Sequence, residues 1–264
     1  GDATGDRIAG FQNIIGGGGG DLLAGDSGRN ALSGLDGNDR LRGGSGDDLL
    51  EGGLGNDQIF GQDGNDVLSG GPGADVFDGG AGVDLVTYAD VATGVSVRLY
   101  AGSGPDGDTF TGVERVRGGS GADYLAGNSL QEALFGGDGA DQLRGGSGGD
   151  RLEGEAGADI MFGQAGRDLL LGGDGDDELT GGPGRDVIDG GAGVDTVRYD
   201  DATAGVSVRI YADSASDGDT LQNVENVVGG AFGDYIAGDS HANMLSGGGG
   251  ADQLRGGSGD DVLT

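Results

Sequence analysis

From Gly34 to Thr87 the chain reads, in consecutive nines, GLDGNDRLR, GGSGDDLLE, GGLGNDQIF, GQDGNDVLS, GGPGADVFD and GGAGVDLVT. Each nine has Gly at position 1, Gly at position 4, Asp at position 6 and an aliphatic residue or Phe at position 8. A period this strict is the mark of a solenoid in which every repeat is one copy of a small structural step. Residues 16–87 divide into eight nonapeptides, 118–198 into nine and 229–264 into four. Asp fills position 6 in all but three of them, and Asn30, Glu132 and Asn243 each fall in the second repeat of a block. That placement predicts a specialised opening turn. Between the blocks lie 88–117 and 199–228, which align without a gap and share GVSVR, DGDT and V-E-x-V. They read as an elaborated cap or spacer, and residues 1–15 as the tail of a truncated third copy.

Within the inserts Val95, Val97, Leu99 and Val206, Val208, Ile210 alternate with polar residues, the period of a half-buried strand. In the repeats, Gly allows the backbone to turn tightly at φ > 0, and the xUx that follows, with U apolar, is a short strand pointing U inward. Two nonapeptides return the chain above its start, so one coil is 18 residues and coils stack as parallel strands about 4.8 Å apart. The fold class is therefore all-β, a parallel solenoid of stacked coils. Gly does not recur every third residue and the apolar residues are strictly phased, which excludes collagen and argues against a disordered Gly-rich linker.

Stacking places position-6 carboxylates 18 residues apart on one edge, Asp39 over Asp57 over Asp75 and Asp48 over Asp66 over Asp84. At that separation a carboxylate pair repels by about 0.9 kcal/mol in water and about 3.5 kcal/mol at an effective dielectric of 20. A hard divalent cation between each pair reverses the sign, and turn carbonyls complete an all-oxygen shell that suits Ca²⁺. The candidate ligands are Asp21, Asp39, Asp48, Asp57, Asp66, Asp75, Asp84, Asp123, Asp141, Asp150, Asp159, Asp168, Asp177, Asp186, Asp195, Asp234, Asp252 and Asp261. Asn30, Glu132 and Asn243 are expected to make weak or empty sites. The turn carbonyls include those of Gly53, Gly55, Gly71, Gly73, Gly80, Gly82, Gly146, Gly148, Gly173, Gly175, Gly182 and Gly184. A block of n repeats leaves n − 2 gaps, which gives about 15 sites and about +30 against a formal charge of −32. Asp108, Glu114, Asp219 and Glu225 are candidates for extra sites in the inserts. Asp84 is expected to end its ladder, so that Asp84→Ala removes a ligand from one site and Asp57→Ala from two. One buried side chain per nonapeptide does not offset the ordering of nine Gly-rich residues, so binding and folding are expected to be one event.

All 14 basic residues are Arg, which leaves neither a phosphate-loop Lys nor a Schiff-base Lys. The acidic excess argues against nucleic acid as a partner. Cys is absent, as in an extracellular bacterial protein that does without disulfides. No apolar run approaches a membrane span. GDATGDRIAG has no initiator Met and no apolar leader, and the chain is read as a piece of a larger protein. An enzyme is not expected: the single His, His241, sits in a degenerate turn, GDSHANMLS.

The pattern GGxGxDxUx resembles the RTX (haemolysin-type) calcium-binding nonapeptide repeat. The resemblance extends over essentially the whole chain, inserts included. It implies a right-handed parallel β-roll within an extracellular, calcium-binding bacterial exoprotein, unfolded where calcium is scarce and exported by a type I secretion system. The parent would be a toxin, adhesin, S-layer protein or exoenzyme. An alternative is that the roll also binds a polysaccharide, a protein or a neighbouring roll through outward positions 7 and 9, where Phe60, Phe135, Phe162, Leu171, Arg42, Arg144 and Arg255 stand. The plainer reading of those residues is packing under the inserts and balance of a negative surface.

Overall fold

The computed structural model describes residues 7–9 (backbone only), 11–215 and 218–264. Part of the 1–15 tail and Asp217 of the second DGDT lie outside them. The chain forms two units, Gly1–Gly119 and Ser120–Thr264. Among the described residues regular helix is confined to three-residue 3-10 turns, and no helix is long and apolar enough to cross a membrane.

In the first unit two parallel sheets share the odd and even repeats. One runs Arg7–Ala9, Leu22–Ala24, Arg40–Ser45, Gln58–Asp63, Val76–Ala81, Thr109–Thr111, and the other Asn13–Ile15, Ala31–Asp36, Leu49–Leu54, Val67–Ser69, Leu85–Thr87, Arg115–Arg117. Register in the repeats is 18 residues, as the nonapeptide period requires: Leu23 lies beside Leu41, Leu41 beside Ile59 and Ile59 beside Phe77. Those position-8 side chains are fully buried and form a single file between the sheets. Phe110 closes the file, stacked on Phe77 with centroids 5.4 Å apart.

The second unit repeats the plan with Leu125, Leu134, Leu143, Leu152, Met161 and Leu170 as its buried file. Each solenoid is all-β and parallel, as the period predicts. Most interior strands are longer than xUx, however; Val67–Ser69 and Glu178–Thr180, which run into Gly-Gly-Pro, are the exceptions. Ala31–Asp36, Leu49–Leu54 and Arg151–Ala156 each run six residues, through position 3 of the following repeat. The reason is a left-handed φ at position 2, which lets the backbone bend and still pair: the Gly53 N–H donates to the Gly70 carbonyl (2.8 Å) and the Gly55 N–H to that of Pro72 (3.1 Å).

The inserts are lap joints. Their second halves carry both ladders onward, with Thr109 beside Val76 and Arg115 beside Leu85 in the first, and Thr220 beside Val187 and Asn226 beside Thr196 in the second. Alternation in GVSVR places Val95, Val97, Val206, Val208 and Ile210 inside, while Leu99 opens a 3-10 turn and is only half-buried. Ser207–Arg209 then starts a new sheet with Tyr235–Ala237 and Gln253–Arg255. Ser214 joins old and new through antiparallel bridges to Arg209 and Thr220, as Ser103 does between Arg98 and Thr109.

Candidate metal centre

Position 6 is buried in nearly every repeat, and its carboxylate is aimed along the solenoid axis. The Asp39 N–H donates to Asp57 Oδ1 (2.7 Å) and the Asp57 N–H to Asp75 Oδ1 (2.8 Å). The same link runs from Asp48 to Asp66 to Asp84 and from Asp141 to Asp159 to Asp177. Each carboxylate thus caps the backbone of the preceding coil with one oxygen. The other oxygen, Oδ2, is buried without a hydrogen bond in Asp39, Asp48, Asp57, Asp66, Asp75 and Asp84, and in Asp141, Asp150, Asp159, Asp168, Asp177 and Asp195. An ionised oxygen left bare in this way is strongly unfavourable. Desolvation accordingly pushes Asp75 and Asp141 up to about 7 and Asp48, Asp57 and Asp84 up to about 6, with hydrogen bonds from the backbone opposing and repulsion by neighbouring carboxylates adding less.

These residues fit a hard cation. Gly at position 1 leaves room for the carboxylate, since a Cβ on Gly52 would overlap Asp57 Oδ2. At position 4 a Cβ on Gly55 would strike the Gly37 carbonyl of the coil before, and the carbonyls of Gly55, Gly73 and Gly82 accept no hydrogen bond among the described residues. Unsatisfied groups at the turn edge are therefore all oxygens, some charged and some carbonyl, the donor set of Ca²⁺. Among the described residues no three His, Cys, Asp or Glu side chains converge, so the backbone would have to supply most of any shell.

The turns fall into two kinds. From the third repeat of each block onward, position 2 is left-handed: six turns in the first block, seven in the second and two in the third, fifteen in all. In the first two repeats of each block it is not. There the position-2 N–H turns inward to its own position-6 side chain: Gly17 to Asp21 (2.8 Å), Asp26 to Asn30 (2.9 Å), Gly230 to Asp234 (2.9 Å) and Asp239 to Asn243 (2.9 Å). Asn128 does the same to Glu132 at 3.3 Å. Asn30 and Asn243 spend their amide donor as well, on the carbonyls of Phe11 (3.2 Å) and Glu225 (2.9 Å). Asn suits these turns because they need a donor on one side and an acceptor on the other. Asp252 and Asp261 are half-buried and accept from Asp234 and Asn243 in the usual way.

The inserts continue the ladder. The backbone N–H of Asp75 donates to the Asp108 carboxylate and that of Asp84 to Glu114, just as the N–H of Asp186 donates to Asp219 and that of Asp195 to Glu225. Asp84 therefore does not end its ladder, contrary to the expectation from spacing, because Glu114 takes the next rung. Asp108 differs from the repeat aspartates in that the Tyr88 hydroxyl donates to its Oδ2 at 2.6 Å, and Tyr199 faces Asp219 in the second copy at 3.5 Å. A neutral donor there occupies the oxygen that the repeats leave bare.

Sequence reasoning missed three features. A second ladder runs at position 5, where Asn38 accepts from the Asn56 N–H and Asn56 from that of Ala74, as Asp47 does from Asn65 and Asn65 from Val83. Asn or Asp recurring at 18 residues was its visible signal. Tyr88 and Tyr199 gave none beyond their shared place in the inserts. Leu35, Gln62, Glu155 and Gln164 hold left-handed φ values of 72 to 83° that composition would assign to Gly. Of the outward residues, Arg42 stacks on Phe60 and Arg144 on Phe162, with Arg255 over Tyr235, so these groups pack on one another. His241 is exposed and bonded to Asp239.

A parallel β-solenoid whose turns present carboxylate and carbonyl oxygens in rows is a β-roll of the cation-binding class. The model of the RTX calcium-binding nonapeptide repeat (4 copies) matches residues 15–50, 51–86, 108–129, 135–170, 171–201 and 228–263, and the chain belongs to that family. No curated protein matches the chain significantly.

Proposed function

We propose that this chain is a calcium-coupled folding region: extended and acidic where calcium is scarce, closed into its roll where calcium is abundant. The carrying observation is the row of buried Oδ2 atoms with no donor. Bound Ca²⁺ supplies two positive charges and takes six to eight oxygens. On this reading the position-6 carboxylates hold it with one oxygen while the other keeps its bond to the preceding coil, so that each ligand also fixes coil spacing. Turn carbonyls such as those of Gly55 and Gly73 complete the shell. The fifteen turns with a left-handed second residue support about 15 such sites, and the opening turns, already satisfied internally, are not among them. Asp108 and Asp219, each facing a Tyr hydroxyl, serve as protein-satisfied ends rather than full sites.

Family membership supports the remainder of the proposal, that the region serves an exported bacterial protein, crosses the envelope unfolded through type I machinery and acts outside the cell. No catalytic role is assigned to it. The test is circular dichroism of the chain titrated with calcium after chelation, with magnesium as control. A cooperative gain of β signal with calcium supports the proposal, and a full native spectrum in excess chelator sinks it.

A further inference from the structure

The outward strand positions 7 and 9 do not share the acidity of the turns. On one sheet the rungs Ala24–Arg42–Phe60 and Ala126–Arg144–Phe162 repeat the same three residue types in the first and second blocks. In the third, Arg209 of the insert, Ala237 and Arg255 form the corresponding rung. Neither these rungs nor the parallel ones two residues before them hold an Asp or Glu, in a chain with 46. Acidic residues return one strand further on, at Asp78 and Glu178. Each cluster lays guanidinium on aromatic ring. Arg40 and Arg42 lie 5.0 and 5.9 Å from the centroid of Phe60, Arg144 5.0 Å from that of Phe162, and Arg209 and Arg255 5.2 and 5.4 Å from that of Tyr235.

None of these five arginines has an ion-pair partner among the described residues, whereas Arg151 pairs with Glu153 and Arg198 with Glu178 and Asp200. Nε of Arg40 and of Arg144 is buried without a hydrogen bond. A guanidinium laid on a ring has given up much of its freedom before a ligand arrives, and its fork of donors matches a carboxylate. Gln58, Gln142 and Gln253 stand on the same strands, two residues before Phe60, Arg144 and Arg255. An amide both donates and accepts, as a sugar hydroxyl requires of its partner. A nucleic acid or an anionic bilayer calls for a wide basic field, and here at most two guanidinium groups stand together. We infer that each cluster is a site for an acidic polysaccharide: the stacked guanidinium takes the carboxylate of a uronate unit and the neighbouring Gln its hydroxyls. The inference rests on the calcium reading for charge alone, since about +30 of bound calcium against −32 removes the repulsion between roll and polyanion.

The test is calorimetric titration of the full chain, at saturating calcium, with a hyaluronan tetrasaccharide and with its carboxyl-reduced, uncharged form. About three tetrasaccharides should bind per chain, one per cluster, with the reduced form at least about tenfold weaker, the equivalent of one charge-assisted contact. Arg144→Gln should lower the stoichiometry by about one. Arg151→Gln, whose guanidinium already has a carboxylate, should leave it unchanged. Circular dichroism checks that both variants are as folded as the parent. If Arg144→Gln misfolds, Arg144→Lys decides, since it keeps the charge and loses the fork, and should weaken that site by about threefold. Equal binding of the reduced sugar would overturn the inference, as would equal losses from Arg144→Gln and Arg151→Gln. So would capture by phosphatidylglycerol vesicles with the tetrasaccharide silent. A chain that circular dichroism shows folded in calcium and that ignores the tetrasaccharide overturns this inference alone, because the calcium reading is judged separately by the spectrum in chelator.

Discussion

Turn 52–57 and turn 25–30 both open on Gly and span the same six positions, yet they treat their sixth residue in opposite ways. In the first, position 2 swings left-handed, its N–H pairs with the next coil, and Asp57 is left with a bare oxygen. In the second, the position-2 N–H folds back onto Asn30, whose amide also reaches the Phe11 carbonyl, so both polar ends of the Asn30 side chain have a partner. Interior turns are thus incomplete without an outside positive charge. Opening turns are self-contained. A solenoid needs the second kind to start, since the first two repeats of a block stack on insert residues, as Ala31 does on Asn13 and Met244 on Asn226, rather than on another Gly-rich turn, and the first kind to grow.

The largest expected effect follows directly. Chelation should remove the interior turns' support and unfold both units, which circular dichroism would register as loss of most β signal. Acid should partly replace calcium. Asp57, Asp75 and Asp141 have folded-state values near 6 to 7 against about 3.8 unfolded, so the folded, metal-free chain binds protons more tightly than the unfolded one. Stability from these groups is fully present below their unfolded value and lost as pH rises through 6 to 7. In chelator the β signal should therefore increase as pH falls from 8 to 5. In calcium the same protons compete, and the calcium midpoint should rise. A pH-independent apo spectrum would mean that the bare oxygens are not what holds the metal-free chain open.

Next in size is exchange of the two side chains. Asp57→Asn keeps an acceptor for the Asp39 N–H but removes charge from two gaps, and should cost about 3 kcal/mol of calcium-linked stability, equivalent to a hundredfold weakening at saturating ligand. Asp84→Ala and Asp57→Ala should be alike to within about 1 kcal/mol, because Glu114 continues the ladder beyond Asp84. Asn30→Asp, the reverse exchange, places a carboxylate against the Phe11 carbonyl and should destabilise by about 1 to 3 kcal/mol. Urea melts at fixed calcium measure all four. An Asn30→Asp chain that gains stability and binds one more calcium would erase the distinction between the two kinds of turn.

The 18-residue register and the buried file of Leu, Ile, Val and Phe were legible because a solenoid repeats one local rule, and a rule shows in the period of its residues. Asn30, Glu132 and Asn243 flagged the opening turns for the same reason: a break in a period is as visible as the period. What escaped was whatever depends on backbone torsion or on pairs outside the repeat. Asp84 looked like a ladder's end because Glu114 lies 30 residues on rather than 18, and the Tyr88 bond to Asp108 joins two residues of a non-repeating segment. Burial also outweighs repulsion in raising the carboxylates' proton affinity, since the stacked coils exclude water from Oδ2, a three-dimensional effect that spacing alone does not express.

The smallest effect bears most directly on position 2. Gln62 adopts φ 83°, where an L-residue carries roughly 1 to 2 kcal/mol of strain. Gln62→Gly relieves that strain but adds unfolded-state freedom worth about 0.4 to 1 kcal/mol, so the net should be a stabilisation of up to about 1 kcal/mol. At the opening turn the same change has the opposite sign. Asn128 is not left-handed and its side chain accepts the Leu130 N–H at 2.8 Å, so Asn128→Gly relieves nothing, loses a bond and should destabilise by about 1 kcal/mol. Two substitutions to Gly at the same repeat position, moving the urea midpoint in opposite directions, would tie the distinction to backbone handedness. Equal shifts would place it in the side chains alone.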